Sequence, residues 1–438
     1  MPRISHGHLL RLLGVGFGVA VGFGEVIGSG ILRSPSVIAG TVHAFWPIIA
    51  LWCLGAINAL LSANIVVELG TSVPRAGGPY VFAHRAFGDA GGLIVGWTVF
   101  SSHSAGSAAA SVVFADFLPL AIPATQGHEA AVAVGLQALL YATNIAGLRE
   151  GRAMQGATSI LKALLLFGFV FAAAWLVPSK GAAALTAMPP IGFAALVGAY
   201  QLIKGAYTGW DAAIYFSEES VAPSQSLPRA VFIGIAVTTF LYVAVNAMLL
   251  HVLGIAGTAA SSLPFATVLA RVAGSGASLL FAIGGMIIVI GCANANIMLA
   301  PRVLFALARD RLLPGVFESV NTGGSPYIAF LLSAVVSMAL ASTGAFALVF
   351  GLIATLSTMA AVIVEISYFV VRWREPELAR PYRAILYPWL PALALAIDVA
   401  LLVLFAAHDH RGALFAAAMC ALCIPLGLLA RRARAAAA

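Results

Sequence analysis

The sequence predicts an all-α membrane protein with twelve transmembrane helices. Three observations predict it. Hydrophobic residues make up 61% of the chain and charged residues 9%. The apolar residues gather in runs long enough to span a bilayer. The Lys and Arg residues sort to one side of those runs. A soluble domain carries roughly 25% charged residues, so this chain has too little charge to cover a water-facing surface. A span needs ~20 mainly apolar residues to cross ~30 Å of hydrocarbon. No charge-rich stretch is long enough to form a separate soluble domain.

The twelve spans are expected near residues 9–40, 45–69, 91–117, 129–147, 155–177, 190–217, 229–253, 276–308, 326–343, 345–371, 385–406 and 412–430. The first run, Leu9 to about Gly40, is far longer than the ~7–15 residue core of a signal peptide, so it is read as a span. With the N-terminus inside, 17 of the 23 Lys and Arg fall on the inner side. Four fall outside: Arg33, Lys180, Arg271 and Arg411. Lys162 and Lys204 lie within spans. Cytoplasmic loops collect Lys and Arg, so both termini are expected in the cytoplasm and the chain in the cytoplasmic (inner) membrane. The formal net charge of +7 has this topological reading. The arginines sit singly or in short clusters between apolar runs, which argues against a nucleic-acid partner.

The cysteines Cys53, Cys292, Cys420 and Cys423 all lie inside apolar runs. The Cys420-x-x-Cys423 pair cannot complete a four-ligand zinc site. Packed or lipid-facing cysteines are the expectation, with no disulfide framework and no metal.

The first span carries the first functional signal. Gly14, Gly18 and Gly22 recur every four residues and share a helix face, a pattern for close helix packing. Gly28-Ser29-Gly30 then weakens the helix at mid-membrane, since glycine costs ~1 kcal/mol against alanine in a helix. Pro35 follows as the expected start of a second half-helix. The sixth span repeats the device in Gly205-Ala206-Tyr207-Thr208-Gly209, flanked by Lys204 and Asp211. Glycine-interrupted spans in corresponding halves of a chain point to a midplane binding site. Irregular backbone at that depth is tolerated where it is buried or lines a cavity. Exposed N–H groups of a half-helix attract a carboxylate, and unwound carbonyls attract an ammonium. The pair fits a zwitterion.

These residues resemble the amino acid–polyamine–organocation (APC) superfamily, closest to the L-type amino acid transporter branch and its bacterial relatives. Gly28-Ser29-Gly30-Ile31 resembles the first-span motif. Ala206-Tyr207-Thr208-Gly209-Trp210-Asp211 resembles the sixth-span motif, followed by Glu218-Glu219. Pro74-Arg75-Ala76-Gly77-Gly78-Pro79-Tyr80 resembles the loop after span two. Asn294, Arg302 and Ala308-Arg309-Asp310 resemble the end of span eight, and Arg380-Pro381-Tyr382-Arg383 the loop after span ten. As an ordered set they cover most of the chain.

The resemblance implies a LeuT-like 5+5 inverted repeat with discontinuous helices 1 and 6, working by alternating access. Residues 1–384 would form the transporter core, and 385–438 the accessory spans 11–12 with the C-terminus. The substrate carboxylate would meet the backbone of Gly28, Ser29, Gly30 and the adjoining Ile31. The ammonium would meet carbonyls near Ile27, Gly205, Ala206 and Thr208. The family commonly carries an aromatic gate just before the Ala-Tyr pair. Here that place is Gly205, which leaves a wider pocket or a gate made by Trp210 or Tyr207.

An ionisable residue at membrane depth is a functional signal. Lys162, in span five, resembles the lysine that replaces a sodium ion in some family members and touches span one. The alternative is a side chain snorkelling to the interface. Glu25 is read as a partner of Lys162, as a proton carrier, or as a polar group facing the cytoplasmic vestibule. Asp211 is read as a cap on the second half of span six or as a contact for a cationic substrate side chain, with Lys204 placed to neutralise it. His103, Asn294 and Asn296 are expected to line the cavity or bridge helices. Glu365 and Asp398 receive no role.

The function expected is secondary active transport of amino acids, by proton-coupled symport or exchange. The alternative is a polyamine or organic cation carrier. An intramembrane protease would need a paired nucleophile and base, and Ser101 to Ser104 around His103 is a weak match. A channel would show charged rings or a pore-lining repeat. No G-x-x-x-x-G-K-[ST] run is present, and no cofactor is expected. The partners expected are an amino acid substrate, protons and the lipid bilayer; the sequence identifies no partner subunit.

Overall fold

A chain this apolar must satisfy its backbone polar groups internally, and helices do so segment by segment. The computed structural model describes residues 14–75, 77–146, 151–176, 190–220, 222–321 and 325–437, and every regular element among them is helical. In chain order these are α1 (Val15–Val26), α2 (Ser29–Val42), α3 (Phe45–Ser72), α4 (Pro79–Phe117), α5 (Glu129–Ala146), α6 (Gly151–Leu176) and α7 (Phe193–Tyr207). A 3₁₀ segment, Ala212–Glu219, follows α7. Then come α8 (Pro223–Ala260), α9 (Pro264–Ala273), α10 (Ser275–Arg309), α11 (Tyr327–Ala341), α12 (Phe346–Arg374), α13 (Trp389–His408), α14 (His410–Ala421) and α15 (Cys423–Ala437). Residues 9–13, Arg3, Arg11, Ala76, Arg149 and Lys180 lie outside the described residues, as do the side chains of Arg152, Glu218, Glu219, Arg431, Arg432 and Arg434.

Seven stretches among the described residues are long and apolar enough to cross a membrane: 45–72, 158–175, 223–260, 279–309, 346–374, 389–408 and 410–430. The remaining expected spans fall short alone for visible reasons. The first and sixth are each split into two pieces, α5 and α11 are short, and α4 carries many serines. Two expected boundaries coincide with kinks. Helix α4 begins at Pro79, well before residue 91, and bends at Gly88 (φ 67°). Helix α8 runs on past residue 253 through a bend at Gly254 (φ 70°). Glycine adopts this backbone without the penalty other residues meet.

Helix α4 is the central post, packed against α10, α12, α11 and α5. Its middle, Ser101 to Ser111, is made of small residues apart from His103, nearly all of them buried, which lets neighbouring backbones approach closely. The polar groups on this surface bond between helices. Ser107 Oγ and Ser337 Oγ are 2.5 Å apart, and Tyr141 Oη lies 2.7 Å from Ser333 Oγ. Asn144 Nδ2 donates to Asn294 Oδ1 at 2.7 Å. Asn294 is thus a helix bridge.

The loop after α12 is pinned to α3 by one buried carboxylate. Glu68 accepts from Arg372 Nη2 at 2.7 Å and from the Ala384 N–H at 2.6 Å, and forms an ion pair with Arg380 Nε at 3.2 Å. Tyr382 donates to Asn64 Oδ1 at 2.8 Å. The Arg380-Pro381-Tyr382-Arg383 stretch therefore works as an anchor. Arg75 pairs with Asp310 at 2.8 Å, tying the loop after α3 to the end of α10.

Candidate functional site at two helix breaks

The first span breaks earlier than expected. Helix α1 stops at Val26, Ile27 is extended, and α2 begins at Ser29 with Gly28 before it. Gly30 and Pro35 are therefore inside α2, and the second half starts at Ser29 rather than at Pro35. Glycine is needed here for space. A Cβ on Gly28 would lie 2.3 Å from Cys292 Sγ, and one on Gly30 would lie 2.9 Å from the Ala206 Cα. Gly30 is where the backbones of the two broken spans meet. Of the earlier glycines, Gly18 packs closely, its added Cβ falling 2.7 Å from Ala230 Cβ, whereas Gly14 faces open space.

A helix end leaves four carbonyls without intrahelical donors. At the end of α1 every one finds a partner. Phe23 O accepts from the Ile27 N–H at 3.0 Å. Gly24 O accepts from Lys162 Nζ at 2.6 Å. Glu25 O faces the Cys292 thiol at 3.9 Å. Val26 O lies 2.8 Å from Tyr242 Oη. The same Tyr242 hydroxyl reaches Ala206 O, at 2.9 Å, at the end of α7. Thr208 covers two more α7 carbonyls, Gly205 O through its N–H and Lys204 O through its hydroxyl, each at 3.2 Å. The Gly205 carbonyl accepts one hydrogen bond and the Ala206 carbonyl shares the single Tyr242 proton with Val26, so both keep lone pairs for a further donor.

The opposite polarity lies at α2. Its first-turn N–H groups, beginning at Ser29, have no intrahelical acceptor, and the dipole places positive potential there. The start of this helix, Gly28 to Gly30, lines a small cavity of about 40 Å³ together with Glu25, His103, Gly205, Ala206, Thr208, Cys292, Asn296 and Phe350. One water needs ~10–15 Å³ on this measure, so the space takes a group of a few heavy atoms. Ile27 and Ile31 are fully buried beside it.

A larger cavity of about 100 Å³ shares Ser102, His103 and Thr208 with the small one, and Trp210, Asp211 and Tyr215 line it. The sixth-span break reaches it through Gly209 (φ 103°), where a Cβ would strike Glu25 Cγ at 2.5 Å. Glu25 packs on that turn and sets its carboxylate 3.6 Å from His103 Nδ1. His103 also meets Asn296 Oδ1 at 3.0 Å. Glu25 is thus directed at His103, while Lys162 serves the Gly24 carbonyl. Full burial of Lys162 excludes the snorkelling alternative.

Three expectations for the sixth span are corrected. Asp211 makes no side-chain cap, and the segment after it is 3₁₀ rather than α-helical. Lys204 leaves Asp211 alone and pairs with Asp398 of α13 at 2.9 Å. Tyr207 is not a free gate: its hydroxyl donates to Trp52 O at 3.2 Å, with its ring against Trp52 and Tyr242. The space left open by Gly205 is filled from another helix. Phe350 of α12 lies 3.0 Å from a Cβ built on Gly205 and 2.8 Å from one built on Gly30. Cys292 is packed, as expected for a cysteine in an apolar run, and the sequence carries no signal for Tyr242 or Phe350, because the role of an apolar-run residue depends on which helix it faces.

Two facing helix breaks beside two cavities that share a wall, in a bundle of apolar helices, define the class of a multi-pass membrane carrier. The model of the family described as "Amino acid permease" matches residues 18–425, and the chain belongs to that family. It is similar to the branched-chain amino acid permease BcaP of Bacillus subtilis, 26% identical over 78% of this chain and 77% of that one. It is 27% identical to the serine/threonine exchanger SteT of the same organism, over 79% and 80%. The large neutral amino acids transporter small subunit 2 of Mus musculus is 25% identical over 82% and 70%.

Proposed function

We propose that this protein is a secondary transporter of amino acids that works by alternating access, with the zwitterionic part of the substrate held between the two helix breaks. The observation that carries the reading is the pairing of opposite polarities across the small cavity. The first-turn amides of α2, at Ser29, Gly30 and Ile31, which lack intrahelical acceptors, receive the carboxylate. The ammonium meets the remaining lone pairs around Ile27, Gly205, Ala206 and Thr208, with Glu25 nearby. Trp210 and Asp211 line the larger cavity where a side chain would extend. The organisation we infer is twelve spans with both termini cytoplasmic. Residues 1–384 form a 5+5 repeat and residues 385–438 accessory spans. The three relatives named above are amino acid carriers by name, which favours this substrate class over polyamines.

Lys162 is the proposed structural cation of the site. Its ammonium stands on the last turn of α1, where a bound cation would otherwise stabilise the carbonyls. Coupling is by protons or by exchange. The test is uptake into proteoliposomes and counterflow against a panel of amino acids and amines. Full competition by an amine lacking a carboxylate would overturn the zwitterion site.

A further inference from the structure

We propose that Glu365 is a proton-binding site in the wall of the larger cavity, linked through Lys204 to the break in the sixth span. It deepens the transport reading above and supplies it with a coupling residue other than Lys162. Four helices meet here. Lys204 of α7 donates to both oxygens of Asp398 on α13, at 2.9 and 3.2 Å. Asn58 of α3 donates to Asp398 Oδ1 at 2.8 Å and accepts from Lys204. Ser62, one turn along α3, donates to Glu365 Oε1 of α12 at 2.9 Å and lies 3.5 Å from Asp398 Oδ2. Glu365 and Asp398 are both fully buried. Among the described residues Glu365 Oε2 has no hydrogen-bond partner, yet Glu365 lines the cavity together with Asn58, Ser62 and Lys204.

One ammonium faces two buried carboxylates. Asp398 holds Lys204 with both oxygens and has Asn58 as well. Glu365 has one serine hydroxyl. A second bare negative charge without its own cation is strongly disfavoured at this depth. The other charged groups around it do not serve it. Glu68 on α3 is bound by Arg372 and Arg380, and across the cavity stand His103 and Asp211. A proton on Oε2 removes the excess charge. The step is an O–H bond formed at Oε2 as a hydronium entering the cavity becomes water, and its reversal on release.

Release has a mechanical consequence. An ionised Glu365 competes with Asp398 for Lys204. Lys204 lies directly before Gly205, and its carbonyl accepts from Thr208 across the broken turn. Shifting the ammonium between carboxylates therefore pulls on the unwound segment that forms half of the substrate site.

The purified protein in proteoliposomes provides the test. Parent uptake of an amino acid should rise under an inward proton gradient. In Glu365→Gln that stimulation should be lost while counterflow at zero gradient persists. Stimulation in Glu365→Gln equal to the parent's overturns the proposal, as does a parent whose uptake ignores the gradient. A parent that moves no amino acid in either assay refutes the transport reading instead, and infrared spectroscopy then decides the site on its own. The parent should show the carbonyl stretch of a buried protonated carboxyl that titrates with pH. The band should be missing in Glu365→Gln and persist to higher pH in Lys204→Met, where the competing ammonium is gone. If Glu365→Gln does not fold, Glu365→Asp should move the band. Absence of such a band in the parent, or its indifference to these substitutions, overturns the proposal.

Discussion

The ammonium of Lys162 stands 2.6 Å from the carbonyl oxygen of Gly24, two residues before the first helix ends. One turn earlier on α6, Ser159 donates to Ala20 O at 3.0 Å. The two bonds fasten α6 along α1 and place a full positive charge where the helix dipole turns negative. Hydrogen bonds from charged groups contribute ~1.5–3 kcal/mol, equivalent to ~10–100-fold in an equilibrium. Lys162→Gln should therefore lower transport by about one to two orders of magnitude and alter its pH profile. The measurement is initial uptake across pH in parent and variant. Unchanged rate and profile would remove Lys162 from the mechanism.

Tyr242 joins the two breaks with one hydroxyl, reaching Val26 O and Ala206 O. Tyr242→Phe keeps the ring against Trp52 and Tyr207 and removes the single hydroxyl proton that two buried carbonyls share. An unsatisfied buried acceptor costs ~1–3 kcal/mol. A lower melting temperature is expected, together with weaker substrate-induced stabilisation, read by thermal shift with and without substrate. A variant that melts lower but gains as much from substrate as the parent would assign Tyr242 to stability alone.

Gly28 and Gly30 are expected to respond differently to alanine. At Gly30 the new Cβ meets the backbone of Ala206, which cannot turn aside, so Gly30→Ala should abolish binding. At Gly28 the obstruction is chiefly the Cys292 sulfur, with its Cβ at 2.9 Å. Gly28→Ala should be partly restored by Cys292→Ala, and Gly30→Ala should not. Equal rescue of both would mean that the breaks do not approach as described. The same geometry makes Cys292 a reporter: a small thiol reagent that reaches it should inhibit uptake, and substrate should protect it.

The broken first and sixth spans were legible because closely spaced glycines, Gly28 and Gly30, and Gly205 and Gly209, recur at mid-span in corresponding halves, whereas Gly14, Gly18 and Gly22 follow a continuous four-residue period that reads as packing. Most expected span limits also fall close to the observed helices. Buried Lys162 was legible as a single charge in an apolar run. What escaped was pairing across distant spans. Glu365 and Asp398 were visible as charges, but their partners Ser62 and Lys204 lie 303 and 194 residues away. No local period encodes such a meeting. Lys204 and Asp211 flank the same break in the sequence, so a local reading pairs them. The Lys204 side chain instead runs outward from α7 to α3 and α13, where a buried carboxylate and an amide offer three hydrogen bonds.

Phe350 carries the clearest prediction about substrate size. Gly205 removes a side chain from the sixth-span break, and Phe350 of α12 occupies the vacated volume between Gly205 and Gly30, stacked on Phe346 with centroids 4.8 Å apart. The ring is almost fully buried, so Phe350→Ala should cost ~3–5 kcal/mol of stability while opening the small cavity. Substrate preference should then move toward larger side chains. Each extra methylene accommodated is worth ~0.8 kcal/mol, about fourfold in affinity. Competition by a graded aliphatic series against one labelled substrate measures the shift. If the rank order of the series is the same in parent and variant, Phe350 is a packing residue, and the size limit lies with Trp210 and Asp211 in the larger cavity.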